Sequence, residues 1–420
     1  MYRCLYANAA GDLIDCPSLG MLGRSGQVWL EPDAAEMMPL PKGATLVSIP
    51  GRPPVGMNSL GFPEILEYDP WETNQPVAAV AALLPQGFTR TLYPAYANSP
   101  NAPALPLLGY AAVAWFKDQI HVAAIPTDEH RKWHPQFYNT SGLAKRIQKM
   151  QRQMPNNQIV QQLAHCSLQY GCFTAQNIFY GRWEGGIPVS PSCNAACIGC
   201  ISDDHPEVAA PQRRLLSVPA VEDIVELGCR HLEAHREAII SFGQGCEGEP
   251  SLQAPLIAAA IRQIRQRTSQ GTINMNTNAG YTEGIRLLCQ AGIDSLRISL
   301  FSARDKYYHY YHQPNNYSLT EVKRSMDYAN DCGVKLALNL LLFPGFHDSE
   351  AETEALIRLM REHHIAMIQL RNLNIDPDLL FAGIDEPTPA AGIPSFLYRL
   401  QEELPQLQIA SYSHPVKTGA

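Results

Sequence analysis

The residues best equipped for chemistry stand together in SPSCNAACIGC, where Cys193, Cys197 and Cys200 follow a C-x3-C-x2-C spacing. Three thiols this close suit metal binding better than disulfides. The first fifteen residues show no basic stretch leading into an apolar run, so a cytoplasmic, reducing setting is expected. A structural zinc site closes around four ligands, and no fourth cysteine lies close by. Three thiolates on a four-iron cubane instead leave one iron without a protein ligand, open to a small molecule.

A second segment, GQGCEGEP over 243–250, brings Gly248, Glu249 and Pro250. Glycine lets a backbone approach a ligand closely, and a carboxylate can receive an ammonium group. Within the same segment Cys246 reads as a small core filler. Period two puts Asn274, Asn276 and Asn278 on one face of a strand, and Arg297 and Ser299 on one face of another. KYYHYYHQPNNY (306–317) is the densest aromatic stretch; it reads as the packing of a short helical turn. Asp203 and Asp204 read as a solvated turn.

These residues need elements to position them. After about residue 187, apolar strands alternate with amphipathic helices: strands near 187–190, 238–243, 272–278, 295–301, 334–343 and 366–374, with helices 218–236, 254–268, 282–291, 318–332 and 349–363 between. Six such units predict an α/β fold, a partial (β/α)6 barrel with parallel strands and right-handed crossovers. Ligands then belong at the carboxyl ends of the strands, where the cysteine loop also falls. The preceding residues are loop-rich, with 15 of the 33 prolines in the first 106 positions. Short strands are expected there, including 44–50 and a hairpin over 109–127 turning at Lys117-Asp118, then a basic helix near 141–153. The expected division is an N-terminal accessory domain over 1–185, a core over 186–380, and a C-terminal helix and tail over 381–420.

The cysteine spacing directly after the first strand of a β/α barrel, with the GEP segment after the second, resembles the radical S-adenosylmethionine (radical SAM) superfamily over about 187–380. The resemblance implies a [4Fe–4S] cluster on Cys193, Cys197 and Cys200. It also implies S-adenosylmethionine (SAM) contacted by Gly248, Glu249 and Pro250, with Asn276 and Ser299 offering strand-end polar groups and FPGFHDSE (343–350) approaching adenine. In such enzymes the reduced cluster cleaves SAM to a 5′-deoxyadenosyl radical that abstracts hydrogen from the substrate. A flavodoxin or ferredoxin is the implied electron donor. No cysteine follows Cys332, which suggests a single-cluster member.

A net charge of −8 disfavours a broad nucleic-acid surface. A peptide or small metabolite is therefore expected as substrate ahead of RNA, and no apolar run is long enough for a membrane span. Two alternatives stay open: a structural zinc or iron–sulfur protein without SAM chemistry, and an RNA-modifying radical SAM enzyme.

Overall fold

A computed structural model describes residues 1–72, 74–129, 131–385 and 390–416. The chain divides into two units: Trp133–Leu341 with Arg358–Leu370 and Gln406–Ala420, and Met1–Lys132 with Leu342–Ile357 and Arg371–Pro405.

The first of these carries the parallel sheet, a curled partial barrel. Its strands are β1 (Glu184–Gly186), β2 (Ile239–Phe242), β3 (Thr272–Thr277), β4 (Ser295–Leu300), β5 (Lys335–Leu342), β6 (Met367–Asn372) and β7 (Gln408–Ala410), adjacent in that order. Strands β1 to β5 pair parallel, as do β6 and β7. The helices are α1 (Leu143–Gln153), α2 (Gln158–Gln169), α3 (Phe173–Tyr180), α4 (Val221–Ala234), α5 (Ala254–Arg267), α6 (Thr282–Ala291), α7 (Asp305–His312), α8 (Leu319–Asp331) and α9 (Glu350–Glu362).

Alternation explains the layering. On β3 and β4, Ile273, Met275, Leu296 and Ile298 are fully buried and alternate with Asn274, Asn276, Arg297 and Ser299. The apolar set meets the helix layer, where Gly228 of α4 leaves room for Ile240 and Ile264 to press in. Each such aliphatic side chain contributes about 1.5–3 kcal/mol when buried. The polar set shares the interior of the curled sheet. Helix α8 starts at a capping box between Ser318 and Glu321, and α6 stops at Gly292, whose φ of +90° suits glycine.

Five expectations shift. The first strand is Glu184–Gly186, upstream of 187–190: a side chain at Gly185 would strike Ile178 at 2.3 Å, so packing demands glycines that mask the strand's apolar signal. A seventh strand, β7, follows the expected last one and is too short, at three residues, to show a period. Helix α4 is Val221–Ala234, shorter at both ends than the expected 218–236. Helices α2 and α3 fill 158–180, within the stretch read as loop-rich. The aromatic stretch forms a true helix, α7, with Tyr307, Tyr308 and Tyr311 buried.

The other unit is antiparallel and strand-rich. Arg3–Ala7 pairs with Leu13–Met21, Ala78–Leu83 and Tyr110–Phe116. The expected hairpin is present: Tyr110–Phe116 pairs with Gln119–Pro126, and Lys117 and Asp118 both take positive φ at the turn, as a two-residue hairpin loop requires. Thr45–Ile49 pairs with Ala78–Leu83. Cys4 and Cys16 face each other in register within its core. Arg90 is fully buried, lying 3.8 Å over the Tyr93 ring and donating to Tyr110 O and Leu373 O. Phe343, from FPGFHDSE, packs on Tyr93 and Phe381 in this unit. Among the described residues no helix is long and apolar enough to cross a membrane.

Candidate active site

The cysteine loop leaves β1 and is gripped along its backbone from two sides. On one side, Gly248 N donates to Ser190 O at 2.7 Å and Glu249 N donates to Ser192 O at 2.9 Å. A Cβ on residue 248 would lie 2.0 Å from Ser192 O, so only glycine lets the two backbones meet. On the other side stands the end of α7. Ile198 N donates to Tyr311 O at 3.0 Å, Ala196 N to His312 O at 3.2 Å, and Asn315 N to Asn194 O at 2.8 Å. From the end of β3, Asn278 Nδ2 donates to Asn194 Oδ1 at 2.7 Å. The loop is thus seated at the carboxyl ends of β1 to β4. The aromatic stretch, read as packing, forms one of its walls.

Cys193, Cys197 and Cys200 are free thiols, each half-buried. Burial, with the Glu249 carboxylate adding to it, pushes the Cys193 thiol up to about 11. Burial pushes Cys197 well above its ordinary value, and Cys200 and Cys193 push it further. Two thiols that resist ionising alone are thiols that a cationic centre would convert to thiolates. Among the described residues, no three His, Cys, Asp or Glu side chains gather as ligands of one ion. A cubane takes its thiolates at separate corners, so the donor set of three soft ligands in one loop fits a cluster.

His312, on α7, was not singled out in the sequence. Its Nδ1 lies 3.3 Å from the Cys197 sulfur, and its Nε2 accepts the Phe301 N–H at 3.1 Å. Burial pushes the ring down to about 3, so it is neutral.

Glu249 is held by three donors from its own surroundings. Its carboxylate accepts from Ser251 N at 2.9 Å, Thr277 Oγ1 at 2.5 Å and Asn278 N at 2.8 Å. Burial raises its pKa against the pull of those bonds. Pro250 opens the single turn Pro250–Gln253 that leads into α5. Glu247, where the resembling family commonly has glycine, is a buried brace: it accepts from Val189 N, Ser190 N and Gly243 N at 2.8, 3.1 and 2.5 Å. Burial pushes its pKa up to about 8, although the three N–H groups work the other way.

Asn276 and Ser299 lie on the polar face of neighbouring strands, each with its own hydrogen-bond partners. Asn276 donates to Gly243 O at 3.0 Å and accepts from Arg297 Nε at 2.5 Å. Ser299 accepts from Asn339 Nδ2 at 3.4 Å, and the Oδ1 of Asn339 is buried with no hydrogen-bond partner. That orphaned acceptor, beside a half-buried hydroxyl, is the kind of atom a bound polar ligand satisfies.

Below these residues lies a polar network that strand periodicity only hinted at. Arg297 Nη2 meets Glu184 Oε1 at 2.9 Å, and Arg297 Nη1 donates to Gln369 at 2.5 Å. Ser241 and Ser413 also donate to Glu184. Burial alone would raise Glu184, yet Arg297 and the two hydroxyls hold it below the usual carboxylate range. A cavity of about 340 Å³ opens at the amino ends of the strands, lined by Ser295, Arg297, Lys335 and Ser413 among others. That is the opposite end from the cysteine loop. Cys246 sits in the GEP segment, buried, with its sulfur 2.7 Å from that of Cys166 on α2. Asp203 and Asp204, both exposed, form ion pairs with Arg214 and Arg213.

The family model described as the radical SAM superfamily matches residues 187–357. No curated protein matches the chain. Among solved structures, the chain is similar to anSMEcpe with bound AdoMet, at 13% identity over 44% of this chain and 51% of that one, with a TM-score of 0.35. It is similar to a radical SAM methyltransferase from Sphaerobacter thermophilus, at 19% identity over 53% and 64%, with a TM-score of 0.38. It is also similar to HydG, a maturase of the [FeFe]-hydrogenase, at 16% identity over 65% and 66%, with a TM-score of 0.39. The chain spans between about half and two thirds of the length of these structures. Residues 187–357 thus carry a radical SAM domain, that of a superfamily whose members work with a [4Fe–4S] cluster and SAM.

Proposed function

We propose that the chain is a single-cluster radical SAM enzyme acting on a peptide or small metabolite, with Cys193, Cys197 and Cys200 as the cluster ligands. The observation that carries this reading is the backbone grip of the GEP segment on the cysteine loop, at a point where Gly248 has no room for a side chain. When bound, a reduced cluster supplies the electron that cleaves SAM to the 5′-deoxyadenosyl radical, which takes a hydrogen atom from the substrate.

The chain's own residues provide position and shelter. Gly248, Glu249 and Pro250 present the amino end of SAM with a close backbone and a buried carboxylate. Three of the roughly four acceptor sites of Glu249 are already used within the protein, which fixes its orientation. Asn276 and Ser299 line the ligand's interior side, and the free Oδ1 of Asn339 offers one further acceptor there. Buried Ile198 and Tyr311 exclude water from the loop. The strand-rich N-terminal region serves as an accessory domain toward substrate, and a flavodoxin or ferredoxin delivers the electron. The acidic net charge of −8 favours a peptide or metabolite over RNA.

The test is anaerobic reconstitution with iron and sulfide, reduction, and addition of SAM, scored for 5′-deoxyadenosine. Wild type is expected to form it and Cys197→Ala is not. A reduced, fully loaded wild type that gives neither product nor a SAM-induced change in the cluster's EPR signal would overturn the reading.

A further inference from the structure

We infer that His312 is a positioning residue for the cluster, donating an Nδ1–H hydrogen bond to the Cys197 sulfur and thereby raising the cluster's reduction potential. This rests on the reading that Cys197 is a cluster ligand.

The tautomer follows from geometry. His312 Nε2 accepts the Phe301 N–H at 3.1 Å, so that nitrogen carries no proton. A neutral imidazole with an accepting Nε2 carries its one hydrogen on Nδ1. Nδ1 is 3.3 Å from the Cys197 sulfur, within reach of a hydrogen bond to sulfur. The only role left for that contact is donation by the ring.

The ring is also held in place. It is 1% exposed, with the Tyr308 and Tyr311 rings at 4.6 and 5.0 Å. Its own backbone carbonyl accepts from Ala196 N, directly before Cys197. Ring and loop are thus fixed to one another. As a free thiol Cys197 also reaches His312 O at 3.7 Å; as a thiolate it has no hydrogen to give and becomes a stronger acceptor for Nδ1–H. A donor to a ligand sulfur stabilises the more negative, reduced state, and so favours reduction.

Two substitutions separate this role from simple packing. His312→Gln can still accept from Phe301 N–H at the ε position but places no donor at the δ position. His312→Asn does the reverse. The full chain, reconstituted anaerobically, is assayed for iron and for the midpoint potential by EPR-monitored titration. His312→Gln is expected to hold wild-type iron with a tenfold weaker reduction equilibrium, a shift of about −59 mV for one electron. His312→Asn is expected to keep the wild-type potential. An unchanged potential in a fully loaded His312→Gln, or an equal shift in both variants, overturns the inference. Should His312→Gln fail to load, pulsed EPR of reduced wild type carrying ¹⁵N-histidine decides: a weak histidine nitrogen coupling supports the bond, and its absence overturns it. Cys197→Ala is the separate control, since full cluster loading there would sink the ligand assignment itself.

Discussion

Gly248→Ala is a single-carbon test of the site's construction. The added Cβ would stand 2.0 Å from Ser192 O, 2.4 Å from Ser192 C and 3.0 Å from Cys193 N. Carbon and oxygen settle near 3.4 Å, so the two segments must part by about 1.4 Å, a full clash against backbone rather than a yielding side chain. The φ of Gly248 is not among the positive values, so conformational preference adds no penalty and the cost is steric. Parting the segments strains or breaks Gly248 N to Ser190 O and Glu249 N to Ser192 O, worth about 1 kcal/mol each. Overpacking adds about 1–3 kcal/mol. The combined cost is on the order of 3–5 kcal/mol, concentrated on the backbone that leads into Cys193. Two measurements are needed: the urea midpoint of the cluster-free protein, and iron bound per chain after anaerobic reconstitution. We expect a lower midpoint with an unchanged m-value and a loss of most bound iron. A variant with wild-type stability and full iron would refute the claim that this glycine exists to seat the cysteine loop.

Other perturbations reach different parts of the molecule. Glu184→Gln leaves Arg297 buried beside a neutral partner and should destabilise by about 3–5 kcal/mol in urea unfolding; a change below about 0.5 kcal/mol would contradict the pairing. Because Glu184 is held below the usual carboxylate range, its contribution is complete above the unfolded pKa and is lost as pH falls through the lower, folded value, and the variant should lack that acid limb. His231 is buried, donating from Nε2 to Trp183 O at 2.9 Å, and burial lowers its pKa from 6.5 to about 4. The unfolded chain therefore binds the extra proton first, and stability should fall as pH drops from 6.5 toward 4 by about 1.4 kcal/mol per unit. Equilibrium unfolding of His231→Asn across that window should show a flatter slope, and an identical slope would count against it. Cys166 and Cys246, with sulfurs 2.7 Å apart, should be joined when diamide takes two hydrogens from the two thiols. Mass spectrometry of alkylated peptides should then show that pair cross-linked, and full alkylation of both after treatment would exclude it.

Much of the candidate site was legible because it is local. Three cysteines in one loop, a Gly-Glu-Pro run, and strands alternating with amphipathic helices are written within short windows, where spacing and period act directly. The partial barrel and the hairpin at Lys117-Asp118 follow from the same short-range rules. The short strands β1 and β7 escaped because three residues carry no measurable period, and β1 consists largely of glycine that neighbouring side chains require.

What tertiary structure alone decided are the partnerships across long sequence separations. His312 meets Cys197 from 115 positions away, Arg297 meets Glu184 across 113, and Cys166 meets Cys246 across 80. The sequence shows a glycine at 248, but only the folded chain shows Ser192 O occupying the space its side chain would need. Each of these contacts is set by strand register and by how helices lie on the sheet. Those arise from burial summed over the whole core, a quantity no single residue or short window displays.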